Sequence, residues 1–211
     1  YGSMINYAGE EQSIRNIVAF FDGSTPYTIL LCAHWDSRPW SDEEAMYEDR
    51  FTPVLGANDG ASGVGVILEI VRQLSIARAK GDYIPSVQVV FFVFVDMGTP
   101  AHYTGKEREH TWCLGSQYWA KDYAQSSPVK IQYGILLDMV GDPSATFPRE
   151  YFSVNYAATY VEQLWRTATR LGYGRYFINQ PASPITDDHY YVSTIARIPC
   201  VDIIDYKSNN G

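Results

Sequence analysis

Ser86-Val-Gln-Val-Val-Phe-Phe-Val-Phe-Val95 is apolar on both faces, and Asp96-Met-Gly-Thr-Pro100 follows at once. A strand with no water-facing side belongs in the middle of a helix-covered, mainly parallel sheet. The same stretch delivers one carboxylate, Asp96, to the point where the chain must turn. Upstream, Val64, Ile67, Leu68, Val71 and Leu74 recur at three- and four-residue spacing, which predicts a helix over residues 59–78 after Gly56-Ala-Asn-Asp-Gly60. Earlier still, residues 14–21 and 28–33 are β-branched and aromatic runs around Asp22-Gly-Ser-Thr-Pro26, and this turn chemistry predicts a hairpin. Downstream the pattern predicts helix over 114–124, strand over 133–140, helix over 158–171, strand over 176–179, helix over 188–196 and strand over 199–205. Such alternation predicts the α/β class, with a mostly parallel sheet between two helical layers.

The 211 residues, 46% hydrophobic, suffice for one domain with a sizeable core and are read as a single catalytic domain over 1–211. A net charge of −8 with 16 scattered Lys and Arg argues against a nucleic-acid groove. No apolar run approaches a membrane-spanning length, and Tyr1-Gly-Ser-Met4 has neither a basic nor an apolar leader region. Cys32, Cys113 and Cys200 show no metal-type spacing and read as buried thiols, with a disulfide as the minority reading.

Four segments place acids or a histidine at a strand end or a helix start: His34-Trp-Asp-Ser37, Asn58-Asp59, Leu137-Asp138 and Asp187-Asp-His189. On one sheet edge they would crowd carboxylates around an imidazole, which calls for a cation or shared protons. Mixed His and carboxylate donors without thiolates suit Zn²⁺, with Mn²⁺ and Co²⁺ as alternatives. Each residue also has a plain structural reading. Asp59, Asp187 and Asp188 could be helix caps, and His34 a hydrogen-bonded core histidine. His102 and His110, in a polar loop with Lys106 and Arg108, read as solvated. The loops 38–53 and 99–111 follow strands and are candidate pocket walls. Trp35, Trp40, Tyr103 and Trp112 lie in or beside such segments, with Trp35 and Trp112 the candidate pocket residues and core packing the alternative.

The run Cys32-Ala-His-Trp-Asp-Ser37, then Gly56-Ala-Asn-Asp-Gly-Ala-Ser-Gly63, Leu137-Asp-Met-Val-Gly141 with Thr146-Phe-Pro148, and Asp187-Asp-His189 resembles the zinc-dependent glutaminyl cyclases of bacterial type. These share a zinc-aminopeptidase-like (phosphorylase/hydrolase-like) fold with the M28 aminopeptidases. The resemblance implies conversion of N-terminal glutamine to pyroglutamate, peptide or protein substrates, one zinc ion, and a periplasmic or secreted location. It implies Asp59 as a zinc ligand and Asp138 and Asp187 as the acids that serve proton transfer. In the aminopeptidase alternative two zinc ions are expected, and His34, Asp59 and Asp138 together hold one metal. A non-catalytic relative is the third reading.

Two features of that family are absent. Relatives carry an adjacent acid pair after the strand where this chain reads Met97-Gly98-Thr99, with Asp96 the structural acid ahead of the pair. The histidine ligand expected beyond the last strand has no counterpart before Gly211. Omission of a loop between Met97 and Gly98 and of a C-terminal segment is the expectation, and genuine loss is the alternative.

Overall fold

The computed structural model describes residues 1–42, 44–106 and 108–205. In chain order the elements are β1 (Gly2–Ile5), β2 (Glu11–Ile14), β3 (Ile17–Phe21), β4 (Thr28–His34), a short 3-10 helix (Tyr47–Phe51), α1 (Ala61–Ala79), β5 (Ser86–Phe92), α2 (Leu114–Ser126), β6 (Ile131–Asp138), β7 (Phe147–Arg149), α3 (Tyr151–Arg170), β8 (Phe177–Pro181), α4 (Asp188–Thr194) and β9 (Cys200–Ile204).

Five strands form the central sheet in the order β3-β5-β4-β6-β9. β4 is parallel to β5 and β6, β6 is parallel to β9, and β3 is antiparallel to β5. All of β5 except Ser86 is buried, as its two-sided apolar sequence requires. On one face Ile67 of α1 and Val161 and Trp165 of α3 pack on Leu31, Val89 and Phe91. On the other, Trp119 and Ala120 of α2 and Tyr191 and Val192 of α4 pack on Leu30, Val90 and Phe92. The result is a mixed, mostly parallel sheet between two helical layers, in agreement with the sequence reading.

The predicted hairpin does not form. β3 and β4 are neighbours in sequence, but β5 lies between them and pairs with both. The turn residues instead wrap the start of β5: the Gly23 amide donates to Ser86 Oγ at 3.0 Å and the Ser24 amide to the Ile84 carbonyl at 2.8 Å. Burial decides the order, because β5 is apolar on both faces whereas Ile17, Val18 and Phe20 of β3 tolerate an exposed edge.

Smaller differences have local causes. β5 stops at Phe92, since Asn16 takes the Val93 amide at 3.2 Å and Asp36 takes the Val95 amide at 3.0 Å, with Phe94 at a φ of 58° between them. α3 begins at Tyr151, seven residues before the predicted start, and Ala157 is a kink in it with φ −136° and ψ 29°. The β1–β2 and β7–β8 pairs are too short to show a strand pattern. Cys32, Cys113 and Cys200 are buried free thiols. His102 and His110 are exposed. No helix among the described residues is long and apolar enough to cross a membrane. Residues 206–211, where the last histidine ligand was sought, lie outside the described residues.

From β4 the chain passes through α1 to β5 on one side, then through α2 to β6 on the other. The end of β4 is therefore the point where strand order reverses, the place where α/β sheets open a crevice. α1 reaches it by close approach. A Cβ on Gly63 would lie 2.0 Å from the Leu137 carbonyl oxygen and 3.0 Å from Ala33 Cβ. We therefore expect Gly63→Ala to destabilise the fold by roughly 1–3 kcal/mol through overpacking, read as a lower urea midpoint. An unchanged midpoint would refute the contact.

Candidate metal and acid-base site

His34 is the last residue of β4, 1% exposed, and its ring is the centre of an acidic cluster. Nδ1 lies 3.1 Å from the Asp36 carbonyl oxygen, which can only accept, so Nδ1 carries the hydrogen. Nε2 then faces the Asp59 Oδ1 at 2.9 Å and the Asp138 Oδ1 at 3.2 Å. Asp59 precedes α1, and Asp138 ends β6. The structure thus brings together three residues picked from sequence.

The backbone around them is fixed. Gly60 has a φ of 91°, and a Cβ there would come within 2.8 Å of the Asp36 carbonyl oxygen and 2.9 Å of His34 Cε1. Only glycine fits both the dihedral and the space. After Asp138 the chain turns at Met139, with φ 47°. The Val140 amide donates to Ser62 Oγ at 3.0 Å and the Gly141 amide to Asn58 Oδ1 at 2.8 Å. The strand end carrying Asp138 is so tied to the helix start carrying Asp59.

Asp96 joins this cluster, with Oδ2 3.7 Å from His34 Nδ1. Sequence reading had treated it as a structural acid. Arg38 holds its backbone, donating from Nη1 to the Asp96 carbonyl at 3.0 Å and from Nε and Nη2 to the two Asp42 oxygens at 2.7 Å. The same guanidinium lies over the Trp112 ring at 4.8 Å and near Trp40 at 5.7 Å. Trp112 is 37% exposed and Trp35 48% exposed, whereas Trp40 packs edge-on against Tyr7 and His102.

Charge crowding decides what the cluster can hold. Burial, reinforced by the charges of Asp59, Asp36 and Asp138 and opposed by His34, pushes the Asp96 carboxyl up to about 8. Burial alone would lower the His34 pKa, but hydrogen bonds to Asp138, Asp36 and Asp59 outweigh it and raise it far above the ordinary imidazole range. Asp59 is pushed up by burial, yet its bond to His34 and the charge there bring it below the usual carboxylate value. Donor atoms of His34, Asp59 and Asp96 lie within 4.8 Å of one another, and Asp96 Oδ2 is buried with no hydrogen-bond partner. A nitrogen and several carboxylate oxygens with surplus negative charge fit a divalent cation.

A second, wholly buried set lies behind the first. Asp187 caps α4 and is 5% exposed, with Oδ1 accepting the Asp188 amide at 2.6 Å. Burial, then the charge of Asp138, push its carboxyl up to about 6, against the opposing effects of His189 and His34. Asp188 and Asp202 are fully buried, and burial raises both well above the ordinary range. His189 Nε2 donates to Glu150 Oε2 at 3.0 Å, and its Nδ1 lies 3.5 Å from Asp202 Oδ2. Glu150 and Asp202 were not picked from sequence. An acid inside the buried strand Cys200-Val-Asp-Ile-Ile204 was the available signal for the second, while Glu150 resembles an ordinary polar residue before a helix.

No curated protein sequence matches the chain. Among solved structures, the glutaminyl cyclase of Bacteroides thetaiotaomicron bound to N-acetylhistamine is 39% identical with a TM-score of 0.90, covering 100% of this chain and 70% of that one. The glutaminyl cyclase of Tannerella forsythia is 45% identical with a TM-score of 0.87, covering 98% and 69%. A Zn-dependent exopeptidase from Parabacteroides distasonis ATCC 8503 is 44% identical with a TM-score of 0.86, covering 98% and 70%. Residues 16–211 match the profile of peptidase family M28, and the chain belongs to that family.

Proposed function

We propose that this M28 protein is a glutaminyl-peptide cyclotransferase that closes the N-terminal glutamine of peptides or proteins to pyroglutamate and releases ammonia. The observation that carries this reading is the buried pair Asp138 and Asp187, in which burial and the neighbouring charge poise Asp187 at about 6. A carboxyl near that value both takes and returns a proton at neutral pH. The α-amine nitrogen forms a bond to the γ-amide carbon, and the bond from that carbon to the amide nitrogen breaks. Asp187 accepts a proton from the attacking amine and passes one to the departing nitrogen, which leaves as ammonia. Asp138, beside His34, is the neighbour that raises the basicity of Asp187.

His34, Asp59 and Asp96 are the residues that would hold zinc in this chain. Bound there, zinc supplies a Lewis acid that polarises the γ-carbonyl. In this reading Trp35 and Trp112, both partly exposed, cover a small uncharged side chain and exclude water, with the Arg38 guanidinium stacked over the Trp112 ring. A groove of about 540 Å³ beside Arg38, Trp40 and Leu55 leaves room for the rest of the peptide. The second reading is a dinuclear aminopeptidase, favoured by the position of His34 within reach of both Asp59 and Asp138.

Incubation with a glutaminyl dipeptide is expected to release ammonia and a pyroglutamyl product, with no cleavage of an aminoacyl amide assayed beside it. Amide cleavage without ammonia from glutamine would replace this reading with the aminopeptidase one. Asp187 must be ionised to accept a proton, so kcat is expected to fall as pH drops through about 6. Asp187→Asn should lower kcat by about 10²–10⁴-fold and remove that limb of the profile. Metal analysis should find zinc near one equivalent, and Asp59→Asn should reduce it about 10-fold or more at limiting zinc; undiminished zinc in the variant would exclude Asp59 as a ligand.

A further inference from the structure

Glu150 is fully buried, yet each of its oxygens accepts two hydrogen bonds. Oε1 takes the Phe152 amide at 2.9 Å and the Ile185 amide at 3.1 Å. Oε2 takes the Ser153 amide at 2.7 Å and His189 Nε2 at 3.0 Å. Two of these donors belong to the first turn of α3, the ordinary requirement of a helix start. The other two come from the segment that bears Asp187, one two residues before it and one two residues after it.

That bracketing matters because Asp187 has little of its own to hold it. Among the described residues its Oδ1 accepts from the next residue in the chain, and its Oδ2 is buried without a partner. The direction of the carboxyl is therefore set by the backbone on either side. We propose that Glu150 is a positioning residue for the site: it clamps Ile185 and His189 to the start of α3 and so aims the Asp187 carboxyl at Asp138. The proposal rests on the reading of Asp187 as the proton carrier. Burial opposes ionisation of Glu150, but its bonds to His189 and the two helix amides hold it down at about 2, which is consistent with a group that accepts from four donors and carries no proton.

A mere helix cap would need the Phe152 and Ser153 bonds alone. Glu150→Asp separates the two roles, because aspartate is a good N-cap but its shorter side chain falls back from Ile185 and His189. In the zinc-loaded protein, we expect Glu150→Asp to keep its thermal midpoint within a few degrees and to lower kcat by roughly 10–100-fold, with KM for the glutaminyl dipeptide changed less than about threefold. Amides from Ile185 to Tyr190 should exchange with deuterium faster, by about 10-fold or more. In an Asp187→Asn background the same substitution should cost almost nothing, since its effect is already spent. Unchanged amide exchange, or an equal kcat loss in both backgrounds, would reduce Glu150 to a cap and overturn the proposal. Where Glu150→Asp does not fold, His189→Phe cuts one tie, leaves the cap intact and is read by the same exchange and kinetic criteria. If the wild-type protein proves not to cyclise glutamine, the functional reading fails on that assay alone, and the exchange experiment still decides whether Glu150 holds the Asp187 segment.

Discussion

The contact on which the structure turns is His34 Nε2 between Asp59 and Asp138. It joins three elements: the end of β4, the lead-in to α1 and the end of β6. Its position is a consequence of topology. The chain leaves β4 in one direction and returns on the other side, so the tip of β4 has a neighbour strand on each flank. A carboxylate from each neighbour can then reach one imidazole. Burying several acids in so small a volume costs more than their contacts with His34 recover, which is why the donor set suits a cation.

Two pools of acid share the site and differ in what satisfies them. The front pool of Asp36, Asp59, Asp96 and Asp138 surrounds His34, whose hydrogen bonds and charge offset part of the mutual repulsion of the acids. The rear pool is satisfied differently: burial raises the carboxyls of Asp188 and Asp202 well above their ordinary range, while the bonds of Glu150 to His189 and the amides of α3 hold it low. Asp187 stands where the pools meet, and its intermediate position follows from having neighbours of both kinds. Acid-base roles separate in this way when environments rather than residue types differ.

Much of this was legible in the chain. The two-sided apolar run of β5 placed that strand at the interior of the sheet, and the three- and four-residue spacing of Val64 to Leu74 placed α1. His34, Asp59, Asp138 and Asp187 could be picked because each sits at a strand end or helix start, where function concentrates. Strand order was not legible, since turn chemistry at residues 22–26 reports only a reversal of direction and not which strand fills the space. The place of Asp96 beside His34 was not legible, because it depends on Asp36 capturing the Val95 amide and on Arg38 gripping the Asp96 carbonyl, both far away in sequence. Glu150 was missed for the same reason: its decisive partners lie 35 and 39 residues ahead.

The close approach of α1 at Gly63 has a wider meaning. The helix rests on the Leu137 carbonyl and Ala33 Cβ at Gly63, and Ser62 and Asn58 tie its start to the turn after Asp138, so several contacts together fix the distance between Asp59 and Asp138. Side-chain substitution elsewhere in the core cannot easily stretch or shrink it. A scaffold of this kind conserves its charge geometry while leaving the crevice walls free to diverge, so one framework can serve cyclising and hydrolysing relatives alike. The crevice walls meet the cluster more loosely: Arg38 reaches the Asp96 carbonyl, and the Ala101 amide donates to Asp42, which Arg38 also holds.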